Sequence, residues 1–506
     1  MLAGTGSDVG KSVLAAALCR ILREDGYRPA PFKAQNMALN SYVTADGLEI
    51  GRAQAVQAEA AGIPCEADMN PLLLKPQSDH TSQVVLLGRP IGNRDAYDYW
   101  RKPSSDSSSP KEGGGIDFRK EVCQAFDRLA KRFNPIVMEG AGSISELNLR
   151  DTDLVNMPMA RYAQADVILV ADIDRGGVFA SVYGSIMLQT EEDRRRIKGI
   201  IINKFRGDLR LFDEGRRMLE EICGVPVLGV IPYYKDIHID EEDSVDLRIK
   251  NEKIKIKNES VRIAVVRLPY ISNFTDFNAL EHDERIQLCY ATLPDELRKA
   301  DIIILPGTKS TLADLRWLHQ SGMAEAILRA RREGKTILGI CGGYQMMGME
   351  VLDPLHVEGD CERMPGLGLL PITTTMAGEK CTRQVKCEMS SLHSPLSTLH
   401  QNLAGYEIHM GETQPYGDGE IRSLLHFDDG GVDGCYVDEH CMGTYVHGIL
   451  DNAPFVDMLL QPFADRVGVR RESFDYAAFK EQQYDLLADH VRQHLDMDKL
   501  YEILTL

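Results

Sequence analysis

A chain of 506 residues is too long for one hydrophobic core and predicts about two to four domains. Its 57 Lys and Arg against 76 Asp and Glu leave a formal charge of −19, which repels a polyphosphate backbone and argues against general nucleic-acid binding. Eleven cysteines without a C-x-x-C pair fit neither a disulfide framework nor a zinc ribbon; with no apolar leader and no run of ~18 apolar residues, the expected setting is a reducing cytoplasm, without a membrane span.

The chain opens on Gly4-Thr-Gly-Ser-Asp-Val-Gly-Lys-Ser12, a variant of the phosphate-binding loop in which five residues, one more than the strict spacing, separate Gly4 from Gly10. Glycines such as Gly6 and Gly10 free backbone N–H groups to face phosphate oxygens, Lys11 adds a point charge, and Ser12 offers a hydroxyl to Mg²⁺. The helix-forming run Ala15–Leu18 supplies the dipole behind the loop. Only three residues precede Gly4, so the first strand is expected to be short, or the chain clipped.

Apolar runs at Ile136–Met138, Val167–Val170, Ile200–Ile202 and Val227–Val230 alternate with helical stretches and predict a parallel sheet with crossover helices. Carboxylates at strand ends face the crevice of such a sheet, which makes Glu139 a candidate Mg²⁺ ligand. Asp46 is a second candidate, with a turn in Ala45-Asp46-Gly47 as its alternative. Asn203 is placed to meet an adenine edge or to cap a helix, and Asp172–Gly177 to touch nucleotide or substrate or to build a turn. Residues 104–115, rich in Ser and Gly, read as a surface loop.

A charged stretch over 236–260 separates this region, 1–235, from a second α/β series over 261–465, with strands at Ile263–Val266, Ile302–Leu305 and Ile337–Leu338; residues 466–506 read as a helical tail. Gly-Ile-Cys-Gly-Gly-Tyr-Gln at 339–345 presents Cys341 on a strand-to-helix corner, the arrangement of a nucleophile elbow. A thiolate needs a base, and among thirteen histidines His447, between Val446 and Gly448 after a β-like run, is the candidate. Backbone N–H groups at Gly307, in Pro306-Gly307-Thr308, and at Gly342 are the candidate oxyanion and substrate contacts, with a plain β-turn as the alternative for Gly307. Asp438–Gly443 spells D-x-H-x-x-G, which resembles a cobalt-ligating signature, but it leads into a β-like run instead of a helix and is set aside.

Together, the elbow and Gly443-Thr-Tyr-Val-His-Gly448 resemble class I glutamine amidotransferases, and the phosphate loop resembles the dethiobiotin synthetase type. Fused in this order, and with Phe32–Met37, Glu49–Glu59, Asn70–Lys75, Glu139–Gly142, Asp172–Phe179, Asn203–Gly207 and Gly405–His409, they resemble the cobyric acid synthase family nearly end to end. The resemblance implies a P-loop-type parallel-sheet domain followed by a class I glutamine amidotransferase-like α/β domain. It implies ATP and Mg²⁺ as cofactors, and glutamine and a corrinoid as small-molecule partners. The implied reaction is amidation of the b, d, e and g side-chain carboxylates of adenosylcobyrinic acid a,c-diamide, with ammonia passing internally from Cys341 to an acyl phosphate. A typical class I site carries Glu two residues after its His; here that position is Ile449, so the resemblance implies a Cys-His dyad whose orienting group is unidentified. Rival readings are cobyrinic acid a,c-diamide synthase, the lipid II isoglutaminyl synthase pair, and a switch ATPase. A switch ATPase would carry a second lysine early in the loop, where this chain has Thr5 and Gly6.

Overall fold

The computed structural model describes residues 1–76, 81–95, 116–240, 260–358, 361–390, 402–467 and 473–505. It divides into two compact units, one of Met1–Ala38, Leu48–Asp240 and Phe479–Leu506, the other of Leu39–Gly47 and Glu241–Ala478. The loop expected at 104–115 and most of the charged stretch, 241–259, lie outside the described residues.

In the first unit, β1 (Leu2–Gly4) leads through the phosphate loop into α1 (Lys11–Glu24). β1 is short, as expected, and its register is set by Leu2 against Ile168 and Gly4 against Val170. β2 (Ala30–Phe32) pairs in parallel with β3 (Ile136–Met138), and a bridge from Glu139 to Leu2 carries the pairing on to β1. β4 (Val167–Asp172), β5 (Ile197–Phe205) and β6 (Val227–Pro232) complete the parallel order β1-β4-β5-β6. Each residue of β4 is buried, the continuous burial of a strand covered on both faces. Parallel pairing sends every strand's C-terminal end to one edge, where Gly4, Glu139, Asp172 and Asn203 all stand. A smaller four-stranded sheet from Gln35–Met37, Leu72–Pro76, Thr81–Leu86 and Arg89–Asp95 is not evident in the sequence pattern.

The second unit holds a six-stranded sheet in the order β8-β7-β9-β10-β14-β13: β7 (Val261–Val266), β8 (Ile286–Ala291), β9 (Ile302–Leu305), β10 (Thr336–Ile340), β13 (Cys435–Asp438) and β14 (Cys441–Thr444). All pairs are parallel except β13 with β14. Between β10 and β13 the chain adds a long antiparallel ribbon, β11 (Ile372–Met389) with β12 (Leu403–Pro415). The two helices of the tail, α3 (Tyr476–Arg492) and α4 (Met497–Leu504), come after a short α2 (Gly342–Met346). From Phe479 onward this tail clusters with the first unit, instead of forming a region of its own. Its apolar stripe explains this: Tyr484, Leu487, Ala488 and Val491 recur at helical spacing and are buried with Leu14, Leu18 and Leu22 of α1.

Candidate functional site

The sheet of the second unit brings Cys341 and His447 together. β10 and β14 are parallel neighbours in the register Ile340 to Thr444, so the residues just beyond their C-terminal ends emerge side by side. The Cys341 N–H donates to Thr444 O at 2.8 Å, which pins the corner. Cys341 has φ 51° and ψ −110°, a strained conformation of the kind held at nucleophile elbows. The flanking glycines owe their identity to packing: a Cβ on Gly343 would lie 1.9 Å from Leu305 O, so no larger residue lets the elbow sit against β9.

The group orienting His447 is a side chain that the sequence reading missed. Asp276, in the helical turn after β7, holds His447 Nδ1 at 2.7 Å through Oδ2 and accepts the Gly448 N–H at 3.0 Å through Oδ1. Nothing in the local sequence marks it, since 171 residues separate it from His447 and only the sheet makes them neighbours. Both are almost fully buried, and the Tyr406 ring stacks on the imidazole at 5.4 Å. Burial alone pulls His447 down, but Asp276 and the thiolate outweigh it and raise it to about 10. Burial pushes the Cys341 thiol up, while the charge and hydrogen bond of His447, then His409 and the Gly342 N–H, bring it below its ordinary value. The two shifts together describe a thiolate–imidazolium pair.

Gly307 lies against this pair, since a Cβ on it would stand 2.9 Å from His447 Cε1; a Cβ on Gly342 would come 3.2 Å from the Thr308 backbone N. Asp314 fixes this loop by accepting from the Thr308 hydroxyl and the Tyr270 N–H, and burial raises its carboxyl to about 7. Asp276→Asn should lower kcat for glutamine hydrolysis by about ten- to a hundredfold. It should also move the alkaline limb of the pH–rate profile towards lower pH. The sign follows because Asp276 raises His447, so without its charge the imidazolium loses its proton sooner; kcat measured across pH with glutamine saturating checks both.

In the first unit the phosphate loop and the strand ends converge on Glu139. Ser12 Oγ donates to its Oε1 at 2.8 Å, Lys33 Nζ to the same oxygen at 2.9 Å, and Gln57 Nε2 to Oε2 at 2.7 Å. Burial raises Glu139, but the Lys33 charge and these hydrogen bonds hold it below the usual carboxylate range. Lys33 and Gln57 lie within the segments Phe32–Met37 and Glu49–Glu59, and three donors on one carboxylate identify them. Lys11 Nζ donates to Gly6 O at 2.9 Å and Gly142 O at 3.0 Å. Gly10 caps α1 with φ 96°, a left-handed conformation that only glycine adopts freely. Asn203 Nδ2 donates to Val9 O at 2.9 Å, and Lys204, paired with Asp172 at 3.2 Å, donates to Asp8 O, so the end of the β5 strand braces the loop at two points. A cavity of 490 Å³ beside Thr5, Gly6 and Ser7 is also lined by Gly142, Ser143 and Glu146.

Ser12 and Glu139 are thus brought together, a hydroxyl and an ionised carboxylate of the oxygen type that Mg²⁺ takes. Asp46 accepts from the Thr44 hydroxyl within the turn ending at Gly47, in the segment that clusters with the second unit. The polar groups of the D-x-H-x-x-G pattern are engaged structurally, Asp438 with Arg331 and His440 Nδ1 with Thr336 Oγ1 at 2.9 Å.

Fold and sites define a glutamine amidotransferase module joined to a nucleotide-binding module. Residues 1–246 match the CobQ/CobB/MinD/ParA nucleotide binding domain and residues 262–455 the CobB/CobQ-like glutamine amidotransferase domain. The chain is 64% identical to a cobyric acid synthase of Bacteroides fragilis over 505 residues, covering 100% of this chain and 98% of the relative. The corresponding enzyme of Phocaeicola vulgatus is 63% identical with the same coverage, and that of Citrobacter koseri 47% identical over 511 residues, with 100% and 98% covered. The chain belongs to the cobyric acid synthase family, glutamine-dependent amidating ligases of cobalamin biosynthesis. Among the described residues, no helix is long and apolar enough to cross a membrane.

Proposed function

We propose that the chain amidates the b, d, e and g side-chain carboxylates of adenosylcobyrinic acid a,c-diamide, taking ammonia from glutamine at Cys341 and energy from ATP at the phosphate loop. The observation that carries this reading is the pairing, on one chain, of a buried Cys341–His447–Asp276 line with a phosphate loop whose Ser12 meets an ionised, buried Glu139.

Cys341 Sγ attacks the glutamine amide carbon, and the developing oxyanion is met by backbone N–H groups at Gly307 and Gly342. His447 gives its proton to the departing ammonia, leaving a glutamyl thioester, which water then hydrolyses with His447 as base. In the other module a corrin carboxylate oxygen attacks the γ-phosphorus, ADP leaves, and an acyl phosphate forms. Ammonia attacks the acyl carbon and phosphate departs, so each amide formed consumes one ATP and one glutamine. Gly6, Gly10, Lys11 and Ser12 bind the phosphates, with Lys11 offsetting the charge that builds on the leaving side. Asn203 braces the loop through Val9 O and is the candidate contact to the adenine edge.

Ser12 and Glu139 are the groups that would hold Mg²⁺, which when bound neutralises phosphate charge. Glu139→Gln should raise the Mg²⁺ concentration for half-maximal amidation by about tenfold or more. A Mg²⁺ titration at saturating ATP checks it, and Asp46→Asn in the same titration assigns Asp46 to the metal if the midpoint moves and to its turn if it does not. Mass spectrometry of the corrinoid incubated with ATP, Mg²⁺ and glutamine tests the acceptor assignment. Four successive carboxyl-to-amide conversions support it; a product stopping at fewer would reassign the substrate.

A further inference from the structure

The ribbon β11–β12 carries a charged network that the triad does not use. Arg383 lies directly opposite Glu407 across the ribbon, and Cys381 opposite His409. Glu407 and His409 are two residues apart on one strand, so all four side chains share a face. The strand also lies against the nucleophile: the carbonyl oxygen of the intervening Ile408 is 3.7 Å from Cys341 Sγ. Arg383 Nε donates to Glu407 Oε2, while Glu407 Oε1 stands 3.8 Å from His409 Nε2. His409 Nδ1 donates to Gly411 O at 2.8 Å, which locks the ring with Nε2 towards Glu407. The ring stacks on Tyr445 at 3.8 Å between centroids, and the Tyr445 hydroxyl accepts from Gln345 Nε2 at 3.2 Å.

We propose that Arg383, Glu407 and His409 form a positioning relay for glutamine hydrolysis, in which Glu407 keeps His409 cationic and His409 supplies Cys341 with a second positive charge beside that of His447. The proposal rests on the glutaminase reading of Cys341 and is independent of the corrin acceptor. The groups facing His409 are Glu407 on its own strand, Cys381 and, through Glu407, Arg383 on β11, Cys341 at the elbow, Tyr445 after β14, and Asp433. Burial alone lowers His409, but Cys381, Glu407 and the Cys341 thiolate raise it to about 10. Burial raises Glu407, and His409 with Arg383 brings it below the usual range. A buried imidazolium costs stability unless it is paired; Glu407 supplies that pairing, and the remaining field of His409 falls on the thiolate.

The test is the pH dependence of Cys341 alkylation by iodoacetamide, an uncharged probe, in full-length protein that lacks added substrates. His409→Asn removes the charge but keeps a polar group, and Glu407→Gln removes the counter-ion but leaves His409 in place. Because a cation stabilises the thiolate, both variants should need higher pH to form it, with the midpoint moving up by about one unit and alkylation at pH 7 slowing about tenfold. Thermal melting identifies any variant that fails to fold, in which case Glu407→Asp and His409→Lys, which retain the charges, take its place and should restore the profile. Unchanged alkylation profiles in folded His409→Asn and Glu407→Gln would overturn the relay. So would a raised KM for glutamine with an unmoved profile, which would make His409 a substrate-contacting wall. Stoichiometric zinc in the purified protein, released by Cys381→Ser, would also overturn it by making Cys381, Glu407 and His409 a metal site. If Cys341 is not alkylated at low pH even in the wild type, the elbow reading itself fails.

Discussion

Lys11→Ala should abolish corrin amidation whether glutamine or ammonia supplies nitrogen, while glutamine hydrolysis at Cys341 continues. Lys11 opens α1 directly behind Gly10, and its ammonium reaches the backbone oxygens of Gly6 and Gly142 on two sides of the loop. That reach brackets the space where β- and γ-phosphate oxygens are expected, so its loss removes charge stabilisation when the phosphoryl group transfers. A loss of about 10³-fold or more in ATP-dependent turnover is expected, since no neighbouring cation would stand at the same point of the loop without leaving its own partner. Lys33 is paired with Glu139 at 2.9 Å and Lys204 with Asp172 at 3.2 Å, so each already has a carboxylate partner. Phosphate release and amide formation, measured with each nitrogen donor, check the result. Near-normal amidation by the variant would show that the loop does not bind the reacting phosphates.

Most strands and both reacting motifs were legible because their signals are local. Val167–Val170 and Ile302–Ile304 are continuous apolar runs because parallel strands covered on both faces have no polar side to reveal. Gly10 and Gly343 announce the loop and elbow because backbone conformation or close approach excludes a side chain there. Asp276 was not legible: a carboxylate in Asn-Phe-Thr-Asp-Phe carries no local mark, and its role exists only once the segment after β7 runs past the end of β9, where the Ser272 N–H donates to Gly307 O, to reach His447 after β14. Lys33 and Gln57 were hidden for the same reason, since their common partner Glu139 lies 106 and 82 residues away. The tail was recognisable as helical but not as part of the first core, because an amphipathic stripe declares that it will be covered without saying by what.

Cys341→Ala should lose glutamine-dependent amidation by about 10⁴-fold or more, yet retain amidation with a high concentration of ammonium salt at a pH where some free NH₃ exists. Substituting Ala removes the only atom that bonds to the substrate, but it leaves the corner backbone pinned by the N–H to Thr444 O bond at 2.8 Å. The phosphate loop, Glu139 and their donors belong to the other unit and keep their contacts. His447→Ala should behave similarly: without the imidazolium, burial drives the Cys341 thiol up, so little thiolate remains near neutrality, while the acyl phosphate chemistry is unaffected. Parallel assays with glutamine and with ammonium salt separate the two half-reactions. Efficient use of glutamine by Cys341→Ala would remove the cysteine from the mechanism. Failure with ammonia, in a folded variant that still binds ATP, would show that the thiol-bearing unit does more than release ammonia, and the separation of roles would have to be replaced by one in which the elbow also supports amide synthesis.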